Sequence, residues 1–151
     1  MVNISSPKYS NEEMLQRSFY RIAWNIWHMW EETGHSDTRL FREPIIPDKF
    51  VIVGQSESGG THKEHVVPCV IICLKCHSMY ENGESVDAVA RLIQKYLKIV
   101  LISQDEQHRL DKKIHGHNLR QQMPNGWEFE NGCEFARLKE VGIEFELYSE
   151  K

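Results

Sequence analysis

The clearest hydrophobic pattern in the chain lies near its beginning, between about Ser10 and Thr33. Apolar residues recur there at intervals of three and four, which is the spacing of one face of an α-helix. The residues of this stripe are Leu15, Phe19, Ile22, Ile26 and Trp30. Ser10 and Glu13 have the spacing of a capping box, and Gly34 is suited to the other end. The pattern predicts a long N-terminal helix over 10–33.

Two tryptophans of this predicted helix lie away from its apolar stripe. Trp24 falls on the opposite side of the helix, and Trp27 falls well off the stripe. A helix that is apolar on several faces must be covered from several sides. The favoured interpretation is burial by another part of the same chain. The alternative is a surface for a protein partner or for self-association.

Short extended segments follow the helix. Strands are predicted at 49–53, 62–67 and 98–102, and the segment 55–61, QSESGGT, has the composition of a turn. Between the second and third strands, two helices are predicted. Their sequences favour a helical hairpin inserted between two strands that can pair with each other.

Residues that favour the start of a helix indicate where each helix of this region begins. Pro68 suits the first position of a helix whose sequence, CVIICLKCHSMY, is apolar nearly all round and predicts a buried helix. Ser85 has the position of a cap for the next helix. Ser103 and Glu106 form a second capping box, which opens a helix directly after the third strand.

The C-terminal part is predicted to be a small helix and strand. Asn131 and Glu134 have the spacing that opens a helix, Gly142 suits its end, and a short strand is expected at 143–147. The fold class is therefore α+β. We predict one domain over 1–151, whose parts are a helix at 10–33, a core at 50–113 and a C-terminal element at 121–151.

Composition supports a single globular domain. The chain has 151 residues, of which 40% are hydrophobic and 26% charged, so a sizeable core can form. No run approaches the ~20 apolar residues of a membrane span, and the N-terminus lacks the pattern of a secretory signal. Four cysteines are too few for a disulfide scaffold. We therefore expect a cytoplasmic protein with no membrane partner.

Charge is unevenly distributed along the chain. The net charge of -4 excludes a uniformly basic protein that coats DNA. Between residues 91 and 120, however, there are seven Lys or Arg residues against three acids, whereas 121–151 has three bases and seven acids. The basic stretch suits a local anionic ligand. On charge alone, a solvated helical face is the favoured interpretation.

The cysteines and a neighbouring histidine raise the question of a zinc site. Only Cys73 and Cys76 have the two-residue separation of a zinc-binding pair, and no second pair follows. Cys69, Cys73 and Cys76 also match the spacing of one helix face, which favours a buried structural role. If zinc is bound, His62 or His77 would have to complete the site.

A second group of residues combines an acid, imidazoles and bases. Glu64 and His65 end one predicted strand, and His108 lies near the start of the helix that follows its partner strand. If the helix crosses the two strands, these three side chains can converge. A carboxylate and an imidazole suit a divalent metal, and a second imidazole can act as a base. Arg109 and the lysines at 112–113 can hold phosphate.

In these two segments the sequence resembles the HNH, or ββα-metal, endonuclease family. Residues 64–68, EHVVP, are similar to the acid-His-aliphatic first motif of the family, and 99–112 are similar to its strand-into-helix motif. The resemblance implies a ββα-metal unit, here with a helical insertion and packed on the long N-terminal helix. It implies hydrolysis of nucleic-acid phosphodiester bonds, with DNA as the favoured substrate.

The resemblance also implies roles for individual residues. His65 would be the general base, and Glu64 and His108 would hold one divalent ion: Mg, Mn or Ni, with Zn as a further possibility. His62 and Lys63, together with Arg109, Lys112 and Lys113, are the residues expected to bind phosphate or nucleic acid.

The sequence leaves two alternatives to a nuclease open. The 42 residues between His65 and His108 contain only one asparagine, Asn82, and it lies in a turn between helices. Members of the HNH family have an asparagine between the first motif and the strand-into-helix motif, and no residue here matches it. Its absence favours a nucleic-acid-binding or regulatory protein of the same shape without catalysis. The other alternative is a zinc-stabilised interaction module that uses the cysteines and presents Trp24 and Trp27 to a partner.

Overall fold

The computed structural model describes residues 6–112 and 118–149. That part of the chain contains five α-helices and a four-stranded mixed sheet. The helices are α1 (Asn11–Thr33), α2 (Cys69–Glu81), α3 (Val86–Tyr96), α4 (Gln104–Asp111) and α5 (Ala136–Glu140). The strands are β1 (Ile52–Ser56), β2 (His62–His65), β3 (Ile99–Ile102) and β4 (Phe145–Leu147). The prediction of an α+β fold is confirmed, and the metal-binding character of a ββα unit stays a prediction.

The long N-terminal helix has the predicted bounds and caps. The Ser10 hydroxyl accepts a hydrogen bond from the Glu13 N–H at 3.2 Å. At the other end, Gly34 has a φ of 83°, and its N–H donates to the Trp30 carbonyl at 2.8 Å. This left-handed conformation costs glycine little, so Gly34 ends the helix as expected. The predicted stripe is buried at Phe19, Ile22 and Ile26.

The helices α1, α2 and α3 pack on one another, but they leave parts of their apolar surface uncovered. The Tyr80 hydroxyl of α2 donates to the Ala23 carbonyl of α1 at 2.6 Å, and the Tyr80 ring stacks on Trp27. Trp24 is 45% exposed, so the expectation that it is buried by the same chain is wrong. The covering elements reach the Trp27 side of α1 and not the side on which Trp24 lies.

The α2 helix is buried on one face only. Ile72 and Cys76 have no exposed surface, whereas Leu74 is 61% exposed. The prediction that α2 is buried nearly all round is therefore wrong, because α2 packs on its neighbours along one side. Pro68 is the N-cap and not the first helical residue. Ser85 caps α3 as predicted, since its hydroxyl accepts from the Ala88 N–H at 3.1 Å.

The four strands are arranged in the order β2-β3-β1-β4. Strand β3 pairs antiparallel with β2 and parallel with β1, and β4 pairs antiparallel with β1. The strands expected to pair across the helical hairpin, β2 and β3, do so, with Glu64 opposite Val100 and His65 opposite Ile99. In the described part of the chain, no helix combines the length and hydrophobicity that crossing a bilayer requires.

The ends of β1 differ from the prediction. Residues 48–50 form a short 3₁₀ helix, so the strand starts at Ile52, and it continues through Ser56 into the segment expected to be a turn. Pairing with β4 extends it there, because Ser56 lies opposite Phe145. Gly54 permits the close approach of β4: a Cβ at this position would lie 2.3 Å from the Glu146 carbonyl oxygen.

The α4 helix begins with the predicted capping box and is tied to the sheet by it. The Glu106 carboxylate accepts from the Ser103 N–H at 2.8 Å and from the Ser56 hydroxyl at 2.6 Å. Glu106 is only 2% exposed, and these bonds lower its pKa against the opposing effect of burial. The capping acid therefore also anchors α4 to β1.

The last helix is shorter than predicted. It begins at Ala136 with Phe135 as its N-cap, so the expectation that Asn131 and Glu134 open it is wrong. The preceding segment is folded into turns, in which the Trp127 indole donates to the Cys133 carbonyl at 2.8 Å. These turns hold the chain out of a helical conformation until residue 136.

Candidate active site

A cavity of about 290 Å³ lies where strand β2 ends and helix α2 begins. Two of the predicted site residues, Glu64 and His65, line it together. We call it the His65 cavity. The full set of residues around it is Thr38, Arg42, Glu64, His65, Pro68, Cys69, Val70, Arg120 and Gln121.

Local structure fixes His65 from both sides. It is the last residue of β2, and its neighbours Val66 and Val67 are completely buried. The Val66 N–H donates to the Lys98 carbonyl at 2.9 Å, which continues the pairing just beyond the strand. Pro68 then starts α2. The short EHVVP segment thus holds His65 between a paired strand and a helix start.

A buried arginine joins this segment to the opposite wall of the cavity. Arg137 of α5 is 1% exposed. Its guanidinium donates to the carbonyls of His65 at 2.6 Å, Leu119 at 2.8 Å and Arg120 at 3.1 Å. Three carbonyls from two distant segments therefore converge on one side chain, and the guanidinium holds the 119–120 segment against the end of β2.

The same arginine balances the charge of Glu64. The Glu64 carboxylate lies 3.5 Å from the Arg137 guanidinium and 3.3 Å from the His62 imidazole, and its side chain is 16% exposed. Burial lowers the pKa of Arg137, and the charge of Glu64 opposes that effect. A buried cation is stable only if it is paired and hydrogen-bonded, and both conditions are met here.

The imidazole of His65 is the least satisfied polar group of the site. Its Nε2 atom is buried and has no hydrogen-bond partner among the described residues. Burial lowers the pKa of His65 to about 4; the charge of Asp48 opposes the shift, and those of Arg42 and Arg137 add to it. His65 is therefore neutral at pH 7. An unpaired buried polar atom costs about 1–3 kcal/mol, and such atoms often mark functional positions.

The thiol in the cavity is not an activated nucleophile. Burial raises the pKa of Cys69 to about 12. A cysteine reacts as its thiolate, which is scarcely populated at neutral pH when the pKa is this high. Cys69 therefore serves as an uncharged part of the cavity wall.

Two arginines that the sequence did not single out carry the positive charge of the cavity. Arg42 follows the 3₁₀ helix Thr38–Phe41, and Arg120 lies in the segment held by Arg137. Both are exposed, and within the described ranges neither forms an ion pair with a carboxylate. Their side chains are free to meet a ligand.

The residues expected to bind phosphate lie elsewhere. His62 faces Glu64, and the Lys63 ammonium binds the Asp48 carboxylate at 2.7 Å. Arg109 donates to the Gly142 carbonyl at 3.3 Å, and Lys112 is exposed at the end of α4. These four residues do not line the His65 cavity. The fifth, Lys113, lies outside the described residues.

The expected metal ligands are not brought to one cavity. His108 is exposed on α4 and is not among the residues that line the His65 cavity. The β2–β3 register explains this, because it places His62, and not His65, opposite Ile102, after which α4 begins. The described ranges hold no group of three or more His, Cys, Asp or Glu side chains arranged for a metal ion. A pair such as Glu64 and His108 is smaller than a group of this kind, and its binding of an ion stays a prediction.

The cysteines of α2 line its packed face, as predicted. Cys73 and Cys76 are buried, and Cys69 is partly buried. The Nε2 atom of His77, a candidate zinc ligand, lies 2.7 Å from the Ser36 hydroxyl, and its ring stacks on Trp30. The Cys73 sulfur lies 3.9 Å from the same nitrogen. In this arrangement His77 links α2 to the end of α1.

Comparison of the chain with protein-family models, with characterised proteins and with solved structures returned no match. The geometry of the His65 cavity and the sequence motif that forms it are therefore the features of the chain that bear on its function.

Proposed function

We propose that the chain is an endonuclease that hydrolyses phosphodiester bonds of nucleic acid, with DNA as the favoured substrate and His65 as the general base. The observation that carries the proposal is the placing of the neutral His65 imidazole beside Glu64 in a concave, positively charged cavity. The resemblance of residues 64–68 to the first motif of the HNH family supports the same role.

The chemistry proposed for His65 is a single displacement. The imidazole takes a proton from a water molecule, the water oxygen attacks the phosphorus, and the bond to the leaving oxygen breaks. The leaving oxygen takes a proton from solvent, so no covalent intermediate is formed. A neutral imidazole can accept a proton, and the low pKa of His65 keeps it neutral throughout the physiological range.

An incoming phosphate would also make His65 a stronger base. Burial is the main cause of the low pKa of the imidazole, and the charges of Arg42 and Arg137 lower it further. A bound anion offsets those charges, so this smaller part of the shift is reversed and the pKa of His65 rises when substrate is present. A base is most effective when its pKa lies near the working pH. In this proposal, therefore, substrate binding prepares the base.

Nicking of supercoiled plasmid tests the proposal. We expect His65→Ala to lose activity by ~10²–10⁴-fold, the usual effect of removing a general base. His35→Ala is the matched control, since His35 is an exposed histidine that does not line the cavity. Equal nicking rates for the wild type and His65→Ala, both purified in the same way, would exclude this mechanism.

The metal requirement is tested separately. The assay is run with a chelator and with added Mg, Mn, Ni or Zn, and metal binding is measured by calorimetry for the wild type, His108→Ala and Lys112→Ala. If Glu64 and His108 hold an ion, His108→Ala weakens metal binding and cleavage together. Lys112→Ala should weaken DNA binding and leave metal affinity unchanged. Unchanged metal binding in His108→Ala would remove His108 from the site.

A second candidate function is binding of nucleic acid without cleavage. It is favoured by the burial of one imidazole nitrogen of His65, since the Nε2 atom has no contact with solvent in this structure. In that case the cavity would recognise a phosphate group and the imidazole would be part of its wall. DNA binding without nicking under any metal condition would favour this candidate over the endonuclease.

A further inference from the structure

The His65 cavity has a positive charge that its own side chains do not neutralise. Glu64 is the one acid among its lining residues, and Arg137 balances it from behind. This leaves the two guanidinium groups of Arg42 and Arg120, and His65 is neutral. The whole chain has a net charge of -4, so the cavity differs in sign from the molecule that contains it.

Two acids lie near Arg42 in sequence, Glu43 and Asp37, and among the described residues neither lines the cavity or forms an ion pair with Arg42. Asp37 lies five residues before Arg42, but its carboxylate is bound by Arg39 at 2.6 Å. Hydrogen bonds from Arg39 lower the pKa of Asp37 to about 2, and the charge of Arg42 adds a smaller contribution, so Arg39 is the principal partner of Asp37. Arg42 is left available on the cavity side.

The start of helix α2 adds a smaller contribution of the same sign. Pro68, Cys69 and Val70 line the cavity, and no side chain caps this end of the 13-residue helix. Unpaired N–H groups at a helix start favour anions. This feature alone would not define a site, but it lies in the same cavity as the two arginines.

We propose that the His65 cavity binds a phosphate group through Arg42 and Arg120. Guanidinium groups bind the oxygens of phosphate in pairs, and two of them can bind the non-bridging oxygens of one phosphate group. The volume of about 290 Å³ lies at the small end of ligand sites, which suits one phosphate and the group attached to it. The inference rests on the proposed function for the source of the phosphate, a nucleic-acid strand.

This assignment replaces the phosphate-binding residues expected from the sequence. Arg109 and Lys112 lie on α4, whereas the new pair lies beside His65 itself. A phosphate held by Arg42 and Arg120 would place its phosphorus near the proposed base without a metal ion as the link. A bound phosphate would also account for the two arginines in the cavity wall, because the one acid there, Glu64, is already paired with Arg137.

Titration with inorganic phosphate tests the site without any need for catalysis. The amide signals of Cys69 and Val70 in a ¹H–¹⁵N spectrum report on the cavity, and the titration is run at constant ionic strength. We expect saturable shifts of these signals, and a dissociation constant raised roughly tenfold or more in Arg42→Gln and in Arg120→Gln. Arg91→Gln is the matched control, because Arg91 is exposed on α3 and outside the cavity.

Two further probes define the ligand. Acetate tests whether any anion suffices, and a short single-stranded oligodeoxynucleotide tests whether the phosphate belongs to nucleic acid. Shifts of the same amides by the oligonucleotide, weakened in both arginine variants, would identify a nucleic-acid phosphate. Shifts by inorganic phosphate alone would keep the site, assign it to a small phosphate compound, and count against the endonuclease.

The inference and the proposed function can fail independently. The phosphate site is overturned if phosphate does not shift these amides, if acetate binds as tightly as phosphate, or if the two arginine variants bind phosphate like Arg91→Gln. A protein that nicks plasmid but shows any of these results keeps the endonuclease proposal and loses the phosphate site. A protein that binds phosphate through both arginines but never nicks DNA keeps the phosphate site and loses the endonuclease proposal.

Discussion

Replacing Arg137 with methionine should strongly destabilise the fold. Arg137 is 1% exposed, and its guanidinium binds three carbonyls at 3.1 Å or less and faces Glu64. Methionine fills much of the same volume with an unbranched chain, so loss of packing is a minor part of the effect. The main effect is that a carboxylate and three carbonyls lose their partner.

The magnitude follows from the burial of those groups. Hydrogen bonds to a charged group contribute ~1.5–3 kcal/mol each, but they are not additive. Removing one member of a buried ion pair costs ~3–5 kcal/mol, and we expect Arg137→Met to fall in this range because Glu64 is only 16% exposed. For a chain of this length that corresponds to a fall of roughly 6–20 °C in Tm.

Urea unfolding of a double-mutant cycle separates the parts of this effect. Arg137→Met, Glu64→Gln and the double variant should give a coupling energy of ~0.5–3 kcal/mol, with the double variant less destabilised than the sum. Arg137→Lys should keep the charge but lose most of the stability, since an ammonium lacks the planar fork that reaches several carbonyls. Arg91→Met on the exposed face of α3 is the control, with a change within ~0.5 kcal/mol.

Two results would contradict this account of Arg137. A loss below ~1 kcal/mol in Arg137→Met would mean that the guanidinium does not hold the two segments together. A coupling energy near zero would mean that Glu64 gains nothing from Arg137, so that the arginine acts through the carbonyls alone. In either case the charge count of the His65 cavity would have to be revised.

Three further predictions follow from individual residues. The pKa of His65, about 4 in the folded chain, lies below its ordinary value of 6.5, so its contribution to stability is complete above pH 6.5 and is lost as the pH falls to 4. Urea midpoints should show a loss of roughly 3 kcal/mol over this window that is absent in His65→Gln, and parallel curves for the two proteins would contradict it. Gly54→Ala should lower stability by ~1–3 kcal/mol, because the new Cβ would meet the Glu146 carbonyl; unchanged stability would show that β4 is not held against β1. In a thiol titration of the native protein, the exposed Cys133 should react well before the buried Cys76, and equal rates would mean that the packed face of α2 opens readily.

Elements whose signals are local could be predicted from the sequence. The bounds of α1 followed from Ser10, Gly34 and a regular apolar stripe, and the start of α4 followed from the Ser103 capping box. In each case the residues that form the interaction lie within four positions of one another. The geometry of a helix then determines the contact, whatever the rest of the chain does.

Elements whose ends depend on distant partners were predicted less well. Strand β1 extends to Ser56 because β4 pairs with it there, and that pairing depends on residues about 90 positions later. The exposure of Trp24 and Leu74 depends on which sides of α1 and α2 their neighbours cover. Hydrophobicity alone predicts that such side chains gain by burial, but it does not show whether enough chain is available to cover them.

The candidate site was found only in part for the same reason. Glu64 and His65 were identified because the EHVVP motif is contiguous, and the structure does bring them to one cavity. His108 was expected beside them on the strength of element order, which does not specify register. Antiparallel pairing that places His62 opposite Ile102 puts the start of α4 three residues away from His65 along β2.

Arg137 had no signal in the sequence at all. It stands in the segment FARLKE, where an arginine between apolar residues is typical of an exposed position on a short helix. Its burial becomes understandable only once the carbonyls of 65 and of 119–120 are seen to converge on it. A charged residue can be buried where the fold brings its hydrogen-bond partners together. For Arg137 these partners include backbone carbonyls, whose positions cannot be read from the residue types in the sequence.

The charge of the His65 cavity also comes from residues that are far apart in the sequence. Counting along the chain identified 91–120 as the basic region, yet Arg120 is the one member of that region among the residues lining the His65 cavity, and its companion Arg42 lies 78 positions earlier. Lys63, another base expected to bind phosphate, is neutralised by Asp48. An anion responds to the charges that remain unpaired in space at one point, and neither the net charge nor a run of bases measures that quantity. The two unpaired guanidinium groups beside a neutral imidazole are therefore stronger evidence for a phosphate ligand than the seven bases of the linear stretch.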